Sequence, residues 1–415
     1  MLSRSVFKKI GVIIAVLIVA GVLGEVLFYH PAPTSSDSRT PPPYFDYIVV
    51  IVLENKNLNQ VYGTSCSGNC SYITQLADSH GLAKNYSGVA HGSMPNYMTL
   101  TSGGNYSYLP YTVNCYGVLN ETCQVNSKNI ADAVEKTGRT WKVYITNYGS
   151  SGCKPIPTLP FVFYTDVYYN ATRCSKLVDA SPFGHNQRWD VIPTTLLSDL
   201  NSPAITPNFM WLVPSGCDVG YCVRNSTTVL NGTCDNRVCF SPCHSPSFPC
   251  VSQCGNNSTT FAACVSQSNE YLSLVVPQIL SSTIFRTQNA VLFITWDEGG
   301  GINGFGGICP QKGQTYPTCI DTIPAIFAGP HVKRSYVSDV GLSHYSFVKT
   351  LEIAWDFPSF SSLDAGAVPM TSFFDLQTAK ATMPFFDTPV LGYMGREWIL
   401  AEEICRRASA AELQL

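Results

Sequence analysis

Charge is what this 415-residue sequence has least of. Asp, Glu, Lys and Arg make up 13% of it, about half of the roughly 25% usual in soluble domains. The net charge is −3 and no long Lys/Arg run occurs, which excludes nucleic acid as a partner. Internal repeats are absent as well. The eight cysteines from Cys217 to Cys264 contain no paired C-x2-C units, so a zinc ribbon is excluded there. Only 7 histidines are present, which limits how many metal ligands of that kind any site can collect.

What is abundant points outside the cytoplasm. The surface-type residues are mainly Asn, Ser, Thr and Tyr rather than charged ones. Of 17 cysteines, 16 lie between Cys66 and Cys319. Cys66/Cys70, Cys115/Cys123, Cys153/Cys174 and Cys309/Cys319 read as local disulfide staples, while the connectivity of the Cys217–Cys264 group stays open. N-x-S/T sequons begin at Asn69, Asn85, Asn105, Asn120, Asn170, Asn225, Asn231, Asn256 and Asn257, a density that fits a glycosylated exterior protein. Disulfides on this scale need an oxidising compartment.

The N-terminus agrees. Arg4, Lys8 and Lys9 precede an apolar run over residues 10–29 that is interrupted only by Glu25. Its length matches one membrane span, and the basic flank sets residues 1–9 on the cytoplasmic side. A cleaved signal peptide is the alternative, with small residues over 20–24 near a cleavage site. Residues 30–43, "HPAPTSSDSRTPPP", form a Pro-rich spacer. The expectation is a membrane partner through this helix, with the main domain over 44–395 and a distinct tail over 396–415.

Within that domain the runs at 44–55, 141–146, 208–214, 290–298 and 323–329 are almost wholly apolar. Such runs read as central parallel strands buried on both faces. Helical patterns at 269–282 and 343–357 lie between and after them. Strands alternating with helices predict an α/β fold with a mostly parallel central sheet and helices on both faces. Residues 215–266, Cys-, Asn- and Ser-rich, read as a disulfide-bonded insertion.

Functional side chains in parallel α/β sheets gather at the carboxyl edge of the strands. Two strands here end in acids: Glu54-Asn55 and Asp297-Glu298, the latter followed by Gly299, Gly300 and Gly301. Three acids brought together in so uncharged a protein call for a cation, most simply a divalent metal. The stretch "HGSMPNYMTLTSGG" (91–104) reads as a helix with Ser93 as N-cap, Pro95 in the first turn and Gly103-Gly104 at the end. A serine there becomes a nucleophile only when activated, and a metal at Glu54, Asp297 and Glu298 would do this while the helix N-terminus favours a phosphate anion.

"IVLENKNLNQVYG" (51–63), "HGSMPNYMTLTSGG", "LFITWDEGGG" (292–301), "AIFAGPHVK" (325–333) and "LSHYSFVKTLEIAWDFP" (342–358) appear in order. Together they resemble the phosphoesterase family of acid phosphatases and C-type phospholipases, in the alkaline phosphatase superfamily, over roughly residues 45–375. The resemblance implies an alkaline-phosphatase-like fold with Glu54, Asn55, Asp297 and Glu298 at the metal and Ser93 as nucleophile. It further implies that Asn96 contacts a phosphate oxygen and that His344 lies beside the site; the plain alternative for His344 is a helix-starting histidine. Asp218 is a further candidate for the same region. With only Asp218 and His344 left for a second metal, one metal site is expected. His91, His185, His244 and His331 read as loop or surface residues. Thr158 stands where the family pattern has a histidine. A sulfatase would need arginine where this chain has Tyr97.

These features imply an exterior phosphoesterase acting on a small phosphate ester, a phosphomonoester first. A phospholipase C-type phosphodiesterase, and a surface glycoprotein that kept the fold without catalysis, are the alternatives.

Overall fold

Among the described residues nine strands build one sheet, and the apolar runs explain why. The computed structural model describes residues 44–66, 68–90, 92–107, 123–146, 148, 152–156, 158–181, 192–215, 218–220, 258–299 and 322–375. The strands are β1 (Tyr47–Leu53), β2 (Gly81–Ser87), β3 (Trp141–Ile145), β4 (Leu177–Asp179), β5 (Phe209–Val213), β6 (Ala290–Trp296), β7 (Thr322–Ala328), β8 (Tyr336–Ser338) and β9 (Leu342–Ser343). Their order is β4-β3-β5-β1-β6-β7-β2-β8, with β9 pairing β2. β1, YIVVIVL, and β6, AVLFITW, lie in the middle, and every residue of β6 is buried. A strand with both parities buried must be covered on both faces, which is why these two carry no polar alternation.

All pairings are parallel except those of β7, which runs against both β6 and β2. The run at 323–329 is therefore a strand as expected, but not a parallel one. β7 starts beside the end of β6, Thr295 lying opposite Ala325 and Leu292 opposite Ala328, so the chain re-enters the sheet at the edge it left. A return without a crossover forces an antiparallel pair. The apolar run alone carries no direction.

The helices that matter below are α1 (Ser71–Ser79), α2 (Ser93–Ser102), α3 (Ile130–Lys136), α4 (Thr194–Leu200), α5 (Ser258–Leu280) and α6 (His344–Trp355). α2 packs on α6, and α1 on α5. α5 reaches back to Ser258, so the expected insertion ends before 266. Its early turns present Phe261, Cys264 and Val265, the last two buried, and the high Ser/Thr content hid that periodicity.

Cys66–Cys70 and Cys153–Cys174 are disulfides, as the local spacing predicted, and Cys123 and Cys264 are disulfide-bonded too. The other expected pairs involve Cys115, Cys309 and Cys319, outside the described residues. So do the run at 10–29, the spacer, most of the Cys-rich insertion and the tail. Among the described residues no helix is long and apolar enough to cross a membrane. Of the described sequons, Asn85, Asn105 and Asn170 are exposed.

Candidate active site

The parallel pairing of β1 with β6 assembles the site. Leu53 lies opposite Trp296 in register, so the next residues, Glu54 and Asp297, leave the sheet side by side. The Asp297 amide donates to the Leu53 carbonyl at 2.9 Å, one rung beyond the last pair. Asn55 then turns the chain in a left-handed conformation, φ 42°, which asparagine tolerates better than most residues. That turn lets the Asn55 amide donate to Asp297 Oδ1 at 2.8 Å. The Asn55 side chain donates to Glu298 Oε1 at 3.0 Å, and the Gly92 amide donates to Glu298 Oε2 at 2.8 Å. Both Glu298 oxygens thus tie together the ends of β1 and β6 and the start of α2.

β2 delivers the serine. After Ser87 the chain turns through Gly88 against β6: a Cβ there would lie 3.0 Å from the Asp297 carbonyl oxygen and 3.1 Å from Asn96 Oδ1. Gly92, at φ 112°, is the N-cap, and Ser93 is the first helical residue. The expected capping role is therefore not the one Ser93 plays: no side chain caps this helix, and the Ser93 hydroxyl instead donates to Glu54 Oε2 at 3.0 Å. One turn on, on the same helix face, the Tyr97 hydroxyl donates to Glu54 Oε1 at 3.0 Å. Tyr97 was visible in the sequence only as a residue that is not arginine; its spacing of four from Ser93 was the available signal. The other hydroxyls turn inward, with Thr99, Thr101 and Ser102 each donating to a helix carbonyl. Gly103, at φ 63°, ends the helix as predicted.

Asn96 is fully buried beneath the 88–92 loop. Its Oδ1 accepts from the Val89 and Ala90 amides, and its Nδ2 donates to the Ala90 and Gly92 carbonyls. It shapes the loop that presents Ser93. His344 opens α6, as its plain reading had it, and also lies beside the site. Its Nε2 donates to the Asp297 carbonyl at 2.6 Å, and the Tyr86 hydroxyl donates to its Nδ1 at 3.0 Å. Burial pushes its pKa down to about 4, so the ring is neutral, with both nitrogens engaged behind Asp297. Asp218 is buried in the turn after β5, where the Ser215 hydroxyl donates to its Oδ2 at 2.5 Å. The Glu54 amide donates to Val219 O at 3.0 Å, which joins that turn to the end of β1. His331 is half-buried at the opposite edge, near Asp46; His91, His185 and His244 lie outside the described residues.

The electrostatics are those of crowded, desolvated acids. Burial, and then the charge of Glu298, push the Glu54 carboxyl up to about 7 against the Ser93 and Tyr97 hydrogen bonds. Burial, then Glu54 and Glu298, raise Asp297 well above the usual range. Lys56 is buried beside them; burial lowers its pKa to about 8, while Glu54 and Asp297 oppose the fall. The ammonium form therefore persists at neutral pH.

Among the described residues, two buried oxygens in this cluster accept no hydrogen bond: Asn55 Oδ1 and Asp297 Oδ2. Unpartnered acceptors in a dry site are costly, and an oxygen-rich set of this kind suits a hard divalent cation. Among the described residues no group of three or more His, Cys, Asp and Glu side chains is gathered as a metal cage. The unpartnered oxygens come from one aspartate and one asparagine, with Glu54 adjoining. The residues present fit an ion at those oxygens.

A family model described as the phosphoesterase family matches residues 67–358. The chain belongs to the phosphoesterase family. This phosphoesterase is a hydrolase acting on phosphoric ester bonds. A phosphatidylinositol-3-phosphatase of Mycobacterium tuberculosis (strain ATCC 25618 / H37Rv) is 21% identical over 361 residues, 86% of this chain and 92% of that one. Among solved structures, an alkaline phosphatase superfamily protein from Vibrio parahaemolyticus is similar at a TM-score of 0.46 and 14% identity. The match covers 78% of this chain and 70% of that one. A putative sulfatase from Bacteroides thetaiotaomicron VPI-5482 is similar at 0.48 and 13%, over 82% and 76%. The phosphoesterase has the expected mixed α/β fold with a mostly parallel sheet.

Proposed function

We propose that this phosphoesterase is a metal-dependent phosphomonoester hydrolase in which Ser93 is the nucleophile. The observation that carries the reading is the 3.0 Å hydrogen bond from Ser93 Oγ to Glu54 Oε2. It joins the first residue of a helix, where unbonded amides favour a phosphate, to a carboxylate at the edge of the unpartnered Asp297 and Asn55 oxygens. Ser93 Oγ attacks phosphorus in line with the leaving alcohol. The new O–P bond forms as the ester O–P bond breaks, and the hydroxyl proton passes to Glu54 Oε2. Water then cleaves the phosphoserine and frees phosphate. A divalent ion held by Asp297 Oδ2, Asn55 Oδ1 and Glu54 would supply positive charge that lowers the pKa of the serine hydroxyl and offsets charge on the phosphoryl oxygens. Glu298, Asn96 and His344 act as positioning residues for Asn55, the 88–92 loop and Asp297. Asp218 borders the same edge from the turn after β5.

The phosphatidylinositol-3-phosphatase among its relatives supports a monoester over a diester. The disulfides Cys66–Cys70 and Cys153–Cys174 support an oxidising compartment, in line with an exterior domain held to the membrane through residues 10–29. The intact contact between Ser93 and Glu54 supports a working enzyme rather than a fold without catalysis.

Hydrolysis of p-nitrophenyl phosphate by the full chain tests the reading. EDTA is expected to abolish it, and Ser93→Ala to lower kcat at least about 1000-fold. Undiminished turnover in Ser93→Ala contradicts the mechanism, and faster cleavage of bis(p-nitrophenyl) phosphate contradicts the monoester assignment.

A further inference from the structure

Tyr97 is buried, 1% exposed, and the mechanism above gives its hydroxyl no part. That hydroxyl donates to Glu54 Oε1 at 3.0 Å, while Ser93 Oγ donates to Glu54 Oε2 at 3.0 Å. The two donors stand one turn apart on the same face of α2. One carboxylate is therefore spanned by two hydroxyls whose spacing the helix fixes, and one of them belongs to the proposed nucleophile.

The ring that carries the phenol is itself held. It meets the indole of Trp211 edge to face, with 6.4 Å between ring centroids. Trp211 also packs with the rings of Phe161 and Phe209, and it lies in β5 opposite Val50 of β1. The strand that ends in Glu54 and the strand that backs Tyr97 are thus in register with each other. A phenylalanine would fill the same place against Trp211 without a polar atom to satisfy. What the hydroxyl adds is a hold on Glu54 Oε1. A glutamate side chain rotates about several bonds, so the bond to Ser93 alone leaves its carboxylate a pivot. A second bond, on the other oxygen, fixes the plane of the carboxylate.

Tyr164 shows the ordinary use of such a group on the same helix. It is also buried, and its hydroxyl donates to the Met98 carbonyl at 3.0 Å and lies 2.8 Å from the Thr101 hydroxyl. That hydroxyl secures the helix, whereas the Tyr97 hydroxyl reaches past the helix to the acid beside the serine.

We propose that Tyr97 is a positioning residue that aims Glu54: its hydroxyl holds Oε1 so that Oε2 stays on the Ser93 hydroxyl. The inference rests on the reading of Ser93 as the nucleophile, and Tyr97 remains a neutral hydrogen-bond donor throughout.

Tyr97→Phe removes one oxygen and keeps the ring, and Tyr164→Phe is the matched control. The crystal structure of full-chain Tyr97→Phe after EDTA treatment is expected to show Glu54 Oε2 beyond hydrogen-bond distance of Ser93 Oγ. Retention of the Glu54 position overturns the proposal. With p-nitrophenyl phosphate, Tyr97→Phe is expected to lower kcat about 10- to 100-fold and to leave KM within about twofold. Tyr164→Phe should lower the urea midpoint and keep kcat. Undiminished kcat in Tyr97→Phe, a loss carried by KM instead, or equal losses of kcat in the two variants overturns the proposal. So does a Tyr97→Phe chain that does not fold, because the hydroxyl then serves the fold. Ser93→Ala reports on the nucleophile separately. Full activity there removes that reading, while the position of Glu54 in Tyr97→Phe still decides what Tyr97 holds.

Discussion

Two groups of three acids in this molecule have opposite fates. Asp132, Glu135 and Asp166 surround Arg173, whose guanidinium reaches each of them at 2.9, 2.7 and 2.5 Å. Lys176 adds a contact to Glu135 at 3.0 Å, and the indole of Trp141 donates to the same side chain. Every acid there meets a cation side chain to side chain, at partial exposure. Glu54, Asp297 and Glu298 are buried, and Lys56, a cation beside them among the described residues, donates to the Gly220 and Glu54 backbone carbonyls. The first group is a closed ion network that ties the 171–174 turn to α3. The second leaves Asp297 Oδ2, and the adjoining Asn55 Oδ1, without a hydrogen-bond partner among the described residues, the condition of a site awaiting a ligand. Counting acids does not separate the two; counting unengaged oxygens does.

The comparison can be broken at several points. Asp297→Asn should give the largest effect on turnover, a loss of at least about 1000-fold in kcat/KM for p-nitrophenyl phosphate, from removal of charge at the proposed metal position. The same substitution should raise the urea midpoint of EDTA-treated protein, since a buried, crowded carboxyl is relieved. A fall in that midpoint would mean that Asp297 is as well satisfied as the acids around Arg173. Arg173→Met should do the reverse. It should cost about 2 kcal/mol of stability by denaturant unfolding, because it leaves acids without their cation, with kcat unchanged. Activity loss without stability loss there would remove the distinction between the groups.

A smaller effect is expected at Gly88. Gly88→Ala should lower kcat about tenfold or more, because its methyl presses the Asp297 carbonyl and the Asn96 amide that hold the site's geometry, with little change in thermal stability. Wild-type kinetics would mean that the 88–92 loop moves aside freely. The smallest effect is expected in a third acidic place. Burial, and then the hydrogen bond and charge of Asp364, push Glu352 up to about 6, against Lys349 and Ser359, which donate to its Oε2. The folded protein holds that proton more tightly than the unfolded chain. This contribution is present below about pH 4.5 and is lost as pH rises to about 6. Across that window the melting temperature of wild type should fall relative to that of Glu352→Gln, and parallel curves would contradict it.

Much of this was legible in the residues because burial on both faces of a central strand leaves a plain mark. β1, β3, β5, β6 and β7 all follow from apolar runs, and the acids at the ends of β1 and β6 from the polar pairs that close them. β2, GLAKNYS, was not legible: it mixes Gly, Lys and Asn with apolar residues. Yet it is the strand that delivers Ser93. The direction of β7 was hidden because an apolar run is the same read either way. Ser93 resembled an N-cap because serine before proline usually is one. That role passed to Gly92, whose φ of 112° no sequence pattern announced. Nothing in the sequence marks Lys56, and only its burial distinguishes it.

The central claim is that Ser93 carries the phosphoryl group during turnover. Acid quenching of the full chain during turnover of p-nitrophenyl phosphate, followed by peptide mass spectrometry, tests it most directly. The account predicts a single added phosphoryl group on the peptide containing Ser93, absent from Ser93→Ala and from protein not given substrate. A phosphoryl group on another residue, or steady turnover with Ser93 unmodified and Ser93→Ala fully active, would contradict it.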